Sequence, residues 1–113
     1  MRLLHVEDDP VDADLISQAL RRTDEEVQID LARGLSEART QLQHADHYDA
    51  ALIDLQLPDG SGLELLAEIR ERQLPIAVVL LTGSGDQQAA ITALQSGADD
   101  YVPKSIEAFA QLG

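Results

Sequence analysis

The sequence predicts an α/β fold: a five-stranded parallel sheet in strand order 2-1-3-4-5 with helices on both faces, three layers in all. Two observations carry this. Short apolar segments, LLHV (3–6), AALIDL (50–55), IAVVLL (76–81) and YV (101–102), alternate with stretches of helical period, the rhythm of parallel strands joined by crossover helices. A further segment, VQIDLA from Val27, instead alternates apolar Val27, Ile29 and Leu31 with polar Gln28 and Asp30. Alternation suits a strand with one wet face, and continuous apolar runs suit strands covered on both. The second strand is therefore expected at an edge, with the first, third and fourth inside.

That order with right-handed crossovers is the flavodoxin-like arrangement, in which ligands gather beyond the carboxyl ends of the strands. The helices carry their own punctuation. Asp9 followed by Pro10 reads as an N-cap with proline at the first helical position, opening a helix through about Arg22 with Val11, Leu15 and Ala19 on its buried face. A second helix, roughly Leu35 to His44, buries Leu35, Ala38 and Leu42. SGLE (61–64) matches a capping box and opens a third, with Leu65, Leu66 and Ile69 as its apolar stripe. Asp86 is expected to cap the fourth and Gly97 to end it. The last helix can begin only near Ser105, which leaves about two turns before Gly113, short for a covering helix. With no repeat, low-complexity segment or linker, residues 1–113 read as a single domain.

Composition narrows the chemistry. Hydrophobic residues make up 44% of the chain but aromatic ones only 3%, so the core is aliphatic and there is no stacking platform for single-stranded nucleic acid. A formal net charge of −13 repels phosphate backbones and favours a cation or a basic protein surface as partner. The absence of cysteine excludes disulfides and thiolate chemistry. The longest apolar run, Ile76 to Leu81, is too short to span a bilayer, and no targeting segment opens the chain, so the expectation is a soluble cytoplasmic module.

In the expected order the first and third strands are neighbours, so Glu7, Asp8 and Asp54 converge at their carboxyl ends, while Asp9 is occupied as a cap. One such acid alone is an ordinary solvated loop carboxylate; three together raise one another's pKa and strain the fold unless a cation shares the site. A hard divalent ion that keeps several waters suits so few ligands, Mg²⁺ better than Ca²⁺. No histidine cluster recruits zinc: His5 lies in the first strand, and His44 and His47 fall near the end of the second helix. Thr82 and Lys104 close two further strands at the same crevice. Acids, a cation, a hydroxyl and an ammonium suit phosphoryl transfer, which needs positioning and charge neutralisation, and an aspartate can itself be the nucleophile.

These residues resemble the receiver domains of bacterial two-component response regulators: LLHVEDDP for the acidic start, ALIDLQLPDGSGLEL around the phosphorylated aspartate, VVLLTGSGD for the switch threonine, and GADDYVPKS for the aromatic and the lysine. The resemblance covers nearly the whole chain, in order. It implies a signalling phosphoprotein, not an enzyme in the usual sense, that catalyses its own phosphorylation and dephosphorylation within a phosphorelay. Asp54 would accept a phosphoryl group from the phosphohistidine of a histidine kinase or histidine phosphotransfer protein. Mg²⁺ would be held by Asp8, by Glu7 through water, by Asp54 and by the backbone carbonyl of Gln56. Thr82 and Lys104 would each bind a phosphoryl oxygen, and Tyr101 would move inward as Thr82 is drawn to the phosphate. That switch would change the surface of the fourth helix, fifth strand and fifth helix, which could also carry a homodimer. Gln56 and Ser84, both uncharged, occupy the positions that tune the phosphate's lifetime.

Two departures from the family pattern stand out. Ser105 follows Lys104 where the family usually has proline with a cis peptide bond, and the final helix is short. They leave room for a degenerate receiver, a phosphate-independent interaction module on the same fold. A phosphohydrolase with an aspartyl nucleophile generally carries a second acid two residues on, where this chain has Gln56. A dinucleotide site at TGSGD lacks the third glycine at its spacing and follows the wrong strand.

Overall fold

Continuous aliphatic runs bury on two faces, and here they occupy the middle of the sheet. The computed structural model describes residues 1–43, 48–83 and 87–104. Strands β1 (Arg2–Val6), β3 (Ala50–Asp54) and β4 (Ala77–Thr82) lie inside, with β2 (Gln28–Ala32) and β5 (Asp100–Pro103) at the edges, giving the parallel order β2-β1-β3-β4-β5. The register pairs Val6 with Ile53, Asp54 with Leu81 and Thr82 with Pro103, so the carboxyl ends of four strands finish at one level.

Successive strand residues point to opposite faces, and two cores result. On one face Leu4, Val6, Ile53, Val78 and Leu80 pack against α2 (Leu35–Gln43), α3 (Gly62–Glu71) and α4 (Gln87–Gln95) through Leu35, Ala38, Leu42, Leu65, Leu66, Ile69 and Ala93. On the other, Leu3, Ala50, Leu52 and Leu81 meet Ile16 of α1 (Pro10–Thr23). The stripes expected for the second and third helices are the ones buried. The α1 face is displaced from the expected one: Val11 and Leu15 are 65% and 37% exposed, and Ala13, Ile16 and Ala19 are buried. Two apolar stripes run along this helix, and the one carrying fully buried Ile16 packs on the sheet.

The second strand does lie at the edge, but its wet and dry faces do not divide as its alternation suggests. Leu31 is 42% exposed, while Ala32 is fully buried and Asp30 is held by Tyr48 and Arg2. Among the described residues the face shared with α1 is left partly open beyond β1, where Ile29 is half-buried and Leu31 exposed.

Helix starts follow local chemistry. The Asp9 carboxylate accepts the N–H groups of Val11 and Asp12 ahead of Pro10. Ser61 and Glu64 form the reciprocal capping box of α3. Just before it, Gln56–Leu57 pairs antiparallel with Gly60–Ser61, a ribbon too short to leave a periodic signal in sequence. Gly97 ends α4 at φ +109°, with the Ala98 N–H returning to the Ala93 carbonyl at 3.0 Å. The expectations for His44, His47, Ser84, Asp86, Ser105 and the last helix lie outside the described residues. Among the described residues no helix is long and apolar enough to cross a membrane.

Candidate functional site

The crevice beyond the strand ends is built from backbone ladders that run one residue further than the strands. The Glu7 N–H donates to the Ala32 carbonyl at 2.8 Å, and the Lys104 N–H to the Thr82 carbonyl at 2.7 Å. Both side chains are thereby aimed by the sheet itself. Glu7 is only 1% exposed: one carboxylate oxygen accepts the Asp9 N–H at 3.1 Å, and the other lies 2.7 Å from the Lys104 ammonium. Burial pushes the Glu7 pKa up to about 7 against the help of Lys104 and the Asp9 amide, and nearby Asp54 adds to the rise.

Asp54 closes β3 and is 6% exposed. Its Oδ1 accepts the Gln56 N–H at 3.2 Å and its Oδ2 accepts from Lys104 at 2.8 Å. Directly behind it, Gly62 donates its N–H to the Leu55 carbonyl at 2.9 Å, and a Cβ at Gly62 would run into the Asp54 carbonyl oxygen. Only glycine lets the start of α3 come so close beneath the aspartate.

Lys104 holds the acids together. Its side chain is 18% exposed, and its ammonium contacts Glu7, Asp54 and Asp12, the last at 3.0 Å. Burial alone would lower the Lys104 pKa; hydrogen bonds to Asp54 and Asp12 and the close Glu7 carboxylate outweigh it and the net shift is upward. Around this ammonium opens a cleft of about 400 Å³ lined by five acids, Glu7, Asp8, Asp9, Asp12 and Asp54, with Lys104 as its sole cation among the described residues. Negative charge is in excess. Glu7, Asp8 and Asp54 each offer a carboxylate oxygen, and these lie within 4.8 Å of one another. An all-oxygen donor set with a buried, hard-to-ionise member fits a hard divalent cation.

The structure thus brings Glu7, Asp8, Asp54, Gln56 and Lys104 to one cleft. Thr82 sits buried at the end of β4, level with Pro103, and Tyr101 stands 41% exposed on β5. Asp9 serves as the cap, as expected. The sequence reading passed over Asp12, whose place three residues after the cap, on the first turn beside the acids, was the available signal.

The model of the response regulator receiver domain family matches residues 3–112. The chain belongs to that family. It is a receiver domain of the two-component response regulators. The transcriptional regulatory protein CutR of Streptomyces coelicolor is 37% identical to this receiver over 112 residues, which are 99% of this chain and 50% of CutR. Among solved structures, the Mn²⁺-bound form of response regulator Rcp1 is 26% identical, with a TM-score of 0.87 over 98% of this chain and 90% of that one. The phosphorylated cyanobacterial phytochrome response regulator RcpA is 29% identical, also with a TM-score of 0.87, over 98% of this chain and 86% of that one. The receiver spans about half the length of CutR and of the transcriptional regulatory protein DltR of Streptococcus agalactiae, and 23% of the response regulator protein PilR of Pseudomonas aeruginosa.

Proposed function

We propose that Asp54 is the phosphoacceptor of this receiver and that its donor is the phosphohistidine of a histidine kinase or histidine phosphotransfer protein. The observation that supports this most is the placement of Asp54: a 6% exposed carboxylate fixed by the Gln56 N–H, hydrogen-bonded to an ammonium and within reach of two more acids able to share a cation. Solved relatives include one recorded as phosphorylated and one as Mn²⁺-bound.

In the step itself a carboxylate oxygen of Asp54 attacks phosphorus in line with the leaving imidazole. The phosphorus–nitrogen bond breaks, its electron pair stays on the imidazole nitrogen, and that nitrogen takes a proton from solvent. Lys104 exchanges its bond to the carboxylate for one to a phosphoryl oxygen, and the Thr82 hydroxyl donates to another. Glu7, Asp8, Asp54 and the Gln56 carbonyl would hold Mg²⁺. When bound, that ion offsets the charge of the acids and of the phosphoryl oxygens. Tyr101, exposed on β5, then turns inward, and the α4–β5 surface, with the final helix, passes the signal to an output partner or a second copy of the receiver. In this reading the receiver works in the cytoplasm as one domain over 1–113 and turns over nothing but its own phosphoryl group.

Intact mass after incubation with Mg²⁺ and acetyl phosphate, beside Asp54→Asn and a chelated control, is the test. One added phosphoryl group, lost in both controls, is expected. No adduct in any sample would overturn the reading and favour a phosphate-independent interaction module.

A further inference from the structure

Lys104 is held by three carboxylates, and one of them does not belong to the cation cluster. We propose that Asp12, on the first turn of α1, is a positioning residue that holds the Lys104 ammonium over Asp54 independently of the metal. The inference rests on Asp54 being the phosphoacceptor and concerns how its lysine is kept in place.

The ammonium donates hydrogen bonds to Asp54 at 2.8 Å and to Asp12 at 3.0 Å, and Glu7 Oε2 lies 2.7 Å away as an ion pair without hydrogen-bond geometry. Glu7 and Asp54 also belong to the trio whose oxygens lie within 4.8 Å of one another, whereas Asp12 does not. A divalent ion seated among that trio draws on the charge of two of the lysine's three partners. Phosphorylation of Asp54 turns the carboxylate oxygen that Lys104 holds into part of an acyl phosphate, and the ammonium must move to a phosphoryl oxygen. Through both events Asp12, outside the trio, keeps its hydrogen bond to Lys104, so the ammonium can pivot from carboxylate to phosphoryl oxygen without leaving the cleft.

The ordinary role of a first-turn acid is to favour the positive end of a helix and, in a capping box, to reach back to the N-cap amide. That amide is already taken here: the Asp9 N–H donates to Glu7 Oε1 at 3.1 Å. The carboxylate of Asp12, 28% exposed, turns instead across the cleft to a residue 92 positions away. A purely helical role predicts lost stability when Asp12 is changed, with no dependence on Lys104.

The test compares wild type, Asp12→Ala, Asp12→Glu, Lys104→Ala and the double variant Asp12→Ala/Lys104→Ala in the full 113-residue chain. Phosphorylation by acetyl phosphate, in which Asp54 attacks phosphorus and acetate leaves with the bonding pair, is followed by intact mass across Mg²⁺ concentrations. Asp12→Ala should lower the Mg²⁺-saturated rate about tenfold while the Mg²⁺ half-saturation point stays in place. Asp12→Glu should restore the rate, and Asp12→Ala should have no further effect once Lys104 is alanine. An unchanged or faster rate, a shift in the Mg²⁺ requirement, or an equal loss in the Lys104→Ala background would each overturn the proposal.

Nitrogen-15 NMR of the Lys104 ammonium with Mg²⁺ present reads the same positioning without any phosphodonor. Its exchange with water should quicken about tenfold in Asp12→Ala, and an unchanged rate overturns the inference even if the phosphoacceptor reading fails on its own terms.

Discussion

The two ends of the sheet both carry charge, and they settle it differently. Around the starts of β1 and β3, Arg2 donates to Asp30 at 3.1 and 2.8 Å, lies 5.3 Å from the centre of the Tyr48 ring, and leaves its own amide to Asp49 at 2.8 Å. The Tyr48 hydroxyl completes the set by donating to Asp30 at 2.6 Å. That hydrogen bond and Arg2 hold the Asp30 carboxyl below its usual range, while burial and Asp30 push the Tyr48 phenol up to about 12. At the opposite end five acids line one cleft, and its one ammonium among the described residues contacts three of them. In the first cluster each carboxylate is tied to a donor beside it, which suits a role in holding the fold together; the second keeps acids beyond the reach of its ammonium, which is the surplus the proposed cation would offset.

Replacing the cation at the open end should have the largest effect. Lys104→Met is expected to cost about 3–5 kcal/mol at pH 8 without divalent ions, because Glu7 and Asp54 stay buried without their counter-charge. Mg²⁺ should restore much of the loss and bind at lower concentration than in wild type, since no ammonium competes with it. Urea unfolding with and without Mg²⁺ checks this; a loss of equal size in both would show that the open end is held like the closed one.

Acidity separates the contributions at the open end next. His5, buried beneath it, has its pKa lowered to about 4, by burial first and then by Lys104. A depressed histidine adds stability that is present above about 6.5 and lost as pH falls through 4. Glu7 is raised to about 7, so its contribution is present below about 4.5 and lost as pH rises through 7. Between these limits the two slopes oppose. Without divalent ions, Glu7→Gln should gain stability relative to wild type as pH climbs from 4.5 to 7, and His5→Gln should lose the rise belonging to histidine, each by up to about 3 kcal/mol. Unfolding midpoints at four pH values decide it, and parallel profiles for all three proteins would remove the pH argument.

The smallest effect belongs to the closed end. Tyr48→Phe removes one hydrogen bond to Asp30 and should cost about 1 kcal/mol, the same with and without Mg²⁺ in thermal melts. A Mg²⁺-dependent cost would mean that the two ends communicate.

Much of this architecture was legible in the sequence because the signals were redundant. The runs at 50–55 and 76–81 read as inner strands, the first buried throughout and the second except at Ala77 and Val79, and SGLE announced the start of α3 with both halves of its capping box. The residues at the open end were legible because acids at the ends of neighbouring strands must converge. Where two patterns competed, the reading slipped: α1 carries one apolar stripe through Val11 and Leu15 and another through Ala13 and Ile16, and periodicity ranks them equally. Leu31 looked buried because alternation reports period and not how far a covering helix extends over an edge. Asp12 was missed because an acid three residues past an N-cap already has a sufficient local explanation, and its partner lies across the fold.

The ion pair between Asp12 and Lys104 spans 92 positions of sequence, and that separation bears on how the protein is made. A growing chain releases Glu7, Asp8, Asp12 and Asp54 well before Lys104, so until the fifth strand emerges the acids lack that counter-charge and the aspartate has no ammonium beside it. The fifth strand must be laid on the fourth before the crevice exists at all. In the proposed reading a nicked or half-folded copy therefore displays the acidic sequence without the chemistry, and competence to take up a phosphoryl group doubles as a certificate that the fifth strand has closed onto the sheet.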